Sequence, residues 1–270
     1  MRSTLRFVGL ALALIVPTTA AHAETNNCTE ITGVPAFITA PGIYCLKNSL
    51  TSAIHVMAND VVIDLNGHVF DGTGGAGIHA FDRQNITVRN GTIRGFGTAV
   101  QLDGTASRGH RIERLRITDN AGAGISVTGD GSVVRHNTLI NNGYASTPGA
   151  KYGLLAFGDG IHIADNQIIE TGVGATGEVV GIRIHGSGVA VERNVISNAE
   201  IGPHSSRGIL LFSSGSNSVV GNRVANMLIG IINASCPTCV GPAVFMDNTV
   251  GGAKLPFSGG VMAGTTNTSF

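Results

Sequence analysis

"GIRIHGSGVAVERNVISN" (181–198) decides the fold. It reads as a short apolar alternation, a turn with Gly, a second alternation and an asparagine. "GLLAFGDGIHIADNQIIE" (153–170) precedes it and "GILLFSSGSNSVVGNRVAN" (208–226) follows it, with the same skeleton and few shared side chains. Openings of this kind start at Ile54, Gly77, Ala99, Gly124, Gly153, Gly181, Gly208 and Gly230: "IHVM", "GIHA", "AVQL", "GISV", "GLLA", "GIRI", "GILL", "GIIN". The units end near Asn137, Asn166, Asn194, Asn222 and Asn248, with Asn66 and Asn90 in the earlier "LNG" and "RNG". Alternation with period two indicates strands. A repeat of roughly 22–29 residues is the range of solenoids, whose units share one core because none can bury its apolar face alone. The reading is a parallel β-helix with a structural asparagine column.

Composition agrees. Of 270 residues 39 are Gly, 43% are hydrophobic and 13% charged, and Trp is absent. Few charges and about twice the usual ~7% Gly suit stacked short strands and tight turns, and long helical stretches are missing. Residues 1–23, "MRSTLRFVGLALALIVPTTAAHA", have Arg2 and Arg6, an apolar run and Ala-His-Ala before Glu24. This is the form of a secretory signal peptide. A membrane anchor is the alternative, but the apolar run falls short of the ~20 residues a span needs. The expectation is a secreted or periplasmic protein with no transmembrane segment in its mature part. The full chain has 17 basic and 17 acidic residues, and without the two signal arginines the charge is about −2. That excludes the basic field of a nucleic-acid-binding protein.

The expected organisation is a signal peptide (1–23), an N-terminal cap (24–53), the parallel β-helix (54–250) and a C-terminal tail or cap (251–270). Export and an even count of four cysteines favour disulfides. The pairs expected are Cys28–Cys45, clamping the N-terminal segment, and Cys236–Cys239 in "SCPTCVG". A redox C-x-x-C would need a thioredoxin-like βαβ context, and a zinc site would need two further ligands. No metal site is expected, and nothing names a cofactor.

"FITAPGIYCLKNSLT" (37–51), "NDVVIDLNGHVFDG" (59–72), "QNITVRNGTIRGFG" (84–97) and the "GIxI…N" coils resemble right-handed parallel β-helix proteins of the pectate-lyase-like superfamily. The resemblance covers about residues 34–250. It implies an all-β, single-stranded right-handed parallel β-helix of about eight coils. The superfamily includes polysaccharide lyases and epimerases, glycoside hydrolases, tailspikes and adhesins, so the resemblance specifies fold rather than function.

In "GIxI" the Ile residues point inward and x points outward. Outward positions include Asp103, Phe157, Arg183, His185 and Phe212. The longer returns "NNGYASTPGAKY" (141–152), "TGVGATGEVV" (171–180) and "NAEIGPHSSR" (198–207) lead into neighbouring strands. Around them gather Tyr144, Lys151, Tyr152, Arg183, His185, His204 and Arg207, with Asp103, Asp159 and Glu178 at the margins. One reading is a groove for an acidic polysaccharide or other glycan. Arg183 and Arg207 would hold a uronate carboxylate, Phe157 and Phe212 would offer flat faces, and His204, Tyr144 and Asp103 would contribute binding groups. The other is structural: the charges pair with acids on neighbouring loops and the aromatics stack as a ladder.

If the protein is an enzyme, the expected chemistry is removal of the proton beside a uronate carboxylate, by a lyase or a C5-epimerase. Arg183 would neutralise the carboxylate. His185 or Lys151 would be the base, and Tyr152 or His204 the acid. The Asp-Pro-His-Asp signature of alginate epimerases and the carboxylate motifs of polygalacturonases are absent. A non-catalytic glycan-binding, envelope-structural or adhesin protein is the rival. A glycoside hydrolase would need two spaced carboxylates; Asp130 and Asp159 sit in Gly-flanked turns.

Overall fold

The computed structural model describes residues 25–33, 35–144, 149–199, 205–212, 215–234, 243–264 and 266–270. Every regular element among them is a strand, and every strand pair is parallel. Each coil contributes a strand to three faces. The front sheet has ten strands, from Ala36–Ile38 to Leu255–Ser258. The second face runs through Val133–Arg135, His162–Ala164 and Ala190–Glu192, and the third through Thr138–Ile140, Gln167–Ile169 and Val195–Ser197. These two faces are bonded into one sheet because Thr87–Arg94 and Arg111–Thr118 continue round the corner between them.

The eight openings found in the sequence are the middle eight strands of the front sheet. Ile78, Val100, Ile125, Leu154, Ile182, Ile209 and Ile231 stack in register with no exposed surface. The glycine that opens most coils has a steric cause. A Cβ on Gly124, Gly153, Gly181 or Gly208 would lie 2.6–2.8 Å from the carbonyl oxygen of the next glycine in the column.

The asparagine column is a hydrogen-bonded ladder. Asn137, Asn166, Asn194, Asn222 and Asn248 each donate from Nδ2 to Oδ1 of the next asparagine at 2.9–3.0 Å, ending on Asn267. The second Nδ2 proton goes to a main-chain carbonyl of the preceding coil at 2.7–3.0 Å. The five are buried, so the ladder satisfies polar groups that no water reaches. Before each stands a residue in the left-handed region: His136, Asp165, Arg193, Gly221 and Asp247, with φ between 52° and 66°. Asn and Asp tolerate this conformation better than most residues, and it turns the chain sharply from the second face to the third.

Both ends add coils to the solenoid. The segment expected as a cap is built as a coil: Ala36–Ile38, Gly42–Cys45 and Leu50–Thr51 take one position on each face and pair with the next coil. Thr29–Glu30 pairs with Gly42–Cys45 as an edge strand beyond it. The C-terminal segment also forms a coil, through Leu255–Ser258, Val261–Met262 and Thr268–Ser269. Its strands are short and lack the "GIxI" pattern, which hid them. The Cys28–Cys45 disulfide is present, with Cα atoms 5.8 Å apart. Cys236 and Cys239 lie outside the described residues.

Candidate functional site

The site is on the outer surface of the front sheet. Arg183 and His185 are alternate residues of Val179–His185 and face outward, with Ile184 buried between them. Tyr152 lies on the preceding strand, Lys151–Phe157, and Arg207 on the following one, Ser206–Phe212. Tyr152, Val180 and Arg207 are register partners. Parallel strands ~4.8 Å apart therefore bring the two arginines, the phenol and the imidazole onto one patch.

Arg183 is its hub. Its Nε donates to His185 Nε2 at 3.0 Å, and its Nη1 donates to Tyr152 OH at 2.7 Å and to Glu178 Oε2 at 3.2 Å. Its guanidinium carbon sits 4.9 Å from the ring centre of Phe212 and 5.5 Å from that of Tyr152, within cation–π range. His185 is stacked between Phe157 and Phe212, with centroids 4.6 and 4.8 Å away. Burial between the rings, and then the Arg183 charge, hold its pKa below the ordinary histidine value. The imidazole is neutral at pH 7, and its Nε2 is a hydrogen-bond acceptor.

Glu178 closes the patch. One carboxylate oxygen meets Arg183 and the other meets Arg207 Nη1. The sequence sets Glu178 at the margin of the cluster, and the structure puts it at the centre. It precedes Val179–His185 in a return with no repeat pattern, so spacing could not place it. Its presence realises part of the structural reading, as does the Phe157–His185–Phe212 ladder. Two arginines against one glutamate leave a single excess positive charge.

Other expected residues lie elsewhere. Lys151, the alternative candidate base, is buried at the start of its strand, 5% exposed. Its Cβ lies 2.7 Å from where a side chain on Gly143 would begin, which explains both the burial and that glycine. Tyr144 is exposed and takes no part in the hydrogen bonds around Arg183. Asp103 belongs to a separate group nearer the N-terminal end, with His79 Nε2 at 3.4 Å and Gln101 Nε2 at 2.7 Å. His204 lies outside the described residues. Asp130 and Asp159 are turn residues: the carboxylate of each accepts a main-chain N–H from the next coil at 2.7 Å. Among the described residues no group of His, Cys, Asp and Glu could hold a metal ion.

A solenoid of parallel coils with a shared Ile/Val core and an asparagine ladder defines a parallel β-helix protein. Residues 43–178 match the right-handed β-helix region family, and the chain belongs to that family. Pectate lyase Pel9A has a similar fold, with a TM-score of 0.50 and 14% identity over 84% of this chain and 71% of that one. An alginate lyase from Paenibacillus sp. str. FPU-7 aligns over 84% of this chain and 91% of that one, at 12% identity and a TM-score of 0.44. Identities this low show the fold alone. No curated protein sequence matches the chain.

Proposed function

We propose that this is an exported protein that binds an acidic polysaccharide along its front sheet and acts on it as a uronate-directed lyase or C5-epimerase. The observation that carries the reading is the single guanidinium of Arg183 in contact with both a neutral imidazole and a phenol. Proton removal beside a carboxylate needs a cation, a base and an acid, and these three side chains supply them. Export rests on the signal-like residues 1–23 and on the Cys28–Cys45 disulfide, a bond typical of oxidising compartments.

The uronate carboxylate takes the place of His185 and Glu178 on the Arg183 guanidinium. It is a stronger acceptor than imidazole, and guanidinium matches it in geometry. Freed His185 accepts the proton from C5. The electron pair left on C5 spreads into the carboxylate, where Arg183 offsets the charge. In a lyase the C4–O4 bond then breaks, the pair forms the C4–C5 double bond, and Tyr152 protonates the departing oxygen. In an epimerase Tyr152 returns a proton to C5 from the other face. Because His185 must be neutral and its pKa is lowered, activity should persist below the ordinary histidine pKa near 6.5 and fall on further acidification. A pH–rate profile of kcat/KM checks this.

One observation favours the second reading, a glycan-binding or envelope-structural protein without catalysis: Glu178 already occupies both arginines. Incubation with alginate, polygalacturonate, glucuronan and glycosaminoglycans separates the two. New ultraviolet absorbance from an unsaturated uronate identifies a lyase, and altered proton NMR signals without cleavage identify an epimerase. Either activity should drop at least about 100-fold in Arg183→Ala, given the size of electrostatic terms in catalysis. Binding without either signal leaves the non-catalytic reading, and full activity in Arg183→Ala would remove the roles assigned here.

A further inference from the structure

A second cluster of positive charge lies away from the front sheet, at the corner between the second and third faces. Thr92, Arg116 and Thr138 are register partners on successive strands of the third face, so one outward arginine stands between two hydroxyls. Arg114 and His136 occupy the left-handed corner position of adjacent coils, each at φ 54°. These five residues border a groove of 400 Å³, beside which Gly67 puts no side chain.

The charge balance here is more one-sided than on the front sheet. Arg135, Arg114 and Arg111 share one buried carboxylate, that of Glu113, at 2.8, 3.4 and 3.7 Å. Arg116 pairs with no acid among the described residues. The neighbouring acids are already engaged: Asp165 by Arg193 at 2.9 and 3.0 Å, and Asp64 by Arg89 at 2.8 Å. Four guanidiniums against one carboxylate compare with two against one around Glu178.

We propose that this corner is a second binding site, specific for the carboxylate or sulfate groups of an acidic glycan. Guanidinium forks flanked by hydroxyls are suited to such anions. A membrane surface is the weaker candidate, because none of the exposed large apolar side chains borders the groove and membrane-surface binding relies on an inserted apolar face. The site is independent of the front sheet, and a polymer held here leaves the Arg183 patch open.

The test measures binding of the purified protein to heparin and to polygalacturonate at about 20 mM and about 200 mM sodium chloride, since polyanion binding weakens with salt. Arg114→Glu combined with Arg116→Glu should weaken low-salt binding at least about tenfold and flatten its salt dependence, the sign expected when two cationic contacts are lost. Lys254→Glu, at an exposed cation of the C-terminal coil outside both sites, should retain it. Preference for heparin identifies sulfate as the group bound, and preference for polygalacturonate identifies carboxylate. Unchanged binding in the double variant would overturn the proposal, as would an equal loss in Lys254→Glu. Equally tight binding to phosphatidylglycerol vesicles would overturn the choice of a glycan. Arg116→Gln, which leaves the Glu113 contacts intact, keeps the test valid if the double variant does not fold; it should give a smaller loss of the same sign, and wild-type affinity would count against the site.

Discussion

At the scale of single residues, buried polar groups are the most sensitive points of this molecule. Asn194 accepts from the main chain and Nδ2 of Asn166 and donates to Ile163 O and to Asn222 Oδ1. Asn194→Ala would strand partners on both sides, each costing about 1–3 kcal/mol. A loss of about 3 kcal/mol or more is expected, read from the denaturant midpoint. His110 is a second such point. It is 1% exposed, its Nδ1 accepts from Ile86 N–H at 3.3 Å, and its Nε2 is buried with no hydrogen-bond partner. Burial depresses its pKa to about 4. The unfolded chain takes up a proton near pH 6.5 and the folded chain does not, so stability is full above 6.5 and falls as pH drops toward 4. The loss attributable to His110 is about 3 kcal/mol. Denaturant midpoints between pH 7.5 and 4.5 should fall less steeply in His110→Asn, which keeps an acceptor for Ile86. An equal slope in both proteins would show that His110 does not carry the effect. The asparagine ladder was legible in the sequence because its members recur once per coil. His110 was not, because a lone histidine has no period.

At the scale of strands and turns, the glycine column sets how closely coils can stack. A Cβ on Gly181 would lie 2.5 Å from Ile196 Cγ2 and 2.8 Å from Gly208 O. Gly181→Ala should cost about 1–3 kcal/mol through overpacking, measurable as a lower midpoint. Its effect should be local, since each coil contacts only its neighbours. The same locality governs the N-terminal coil. The disulfide closes a separation of 17 residues, and removing a loop constraint of that size costs about 3 kcal/mol. Hydrogen exchange of Cys28→Ser should show faster exchange in 36–51 and unchanged protection in 179–212; uniform loss would contradict nearest-neighbour stability. Strand openings were readable because alternation and glycine coincide there. The coils of the terminal segments could not be read because their strands of two to four residues are too short to show a period.

At the scale of the whole molecule, the fold is a repeated answer to one packing problem, and only the outward display is free to vary. Register alone places Arg183 between Leu155 and Leu210 and His185 between Phe157 and Phe212, so the columns of the candidate site could be read from the sequence. Contacts made from the returns could not, and Glu178 is the case that matters most. Its carboxylate stands where a ligand carboxylate is required, which makes displacement of Glu178 the central step of the account. The direct measurement is affinity for the best-bound polymer of the panel and for its carboxyl-reduced form, in the wild-type protein, Arg183→Ala and Glu178→Gln. The wild type should prefer the carboxylated form by at least about tenfold, the worth of a charge-assisted contact. Arg183→Ala should abolish that preference, and Glu178→Gln should increase it by freeing the arginines. Equal affinity for both forms in the wild type, or a preference untouched in Arg183→Ala, would contradict the assignment of the front sheet to a uronate.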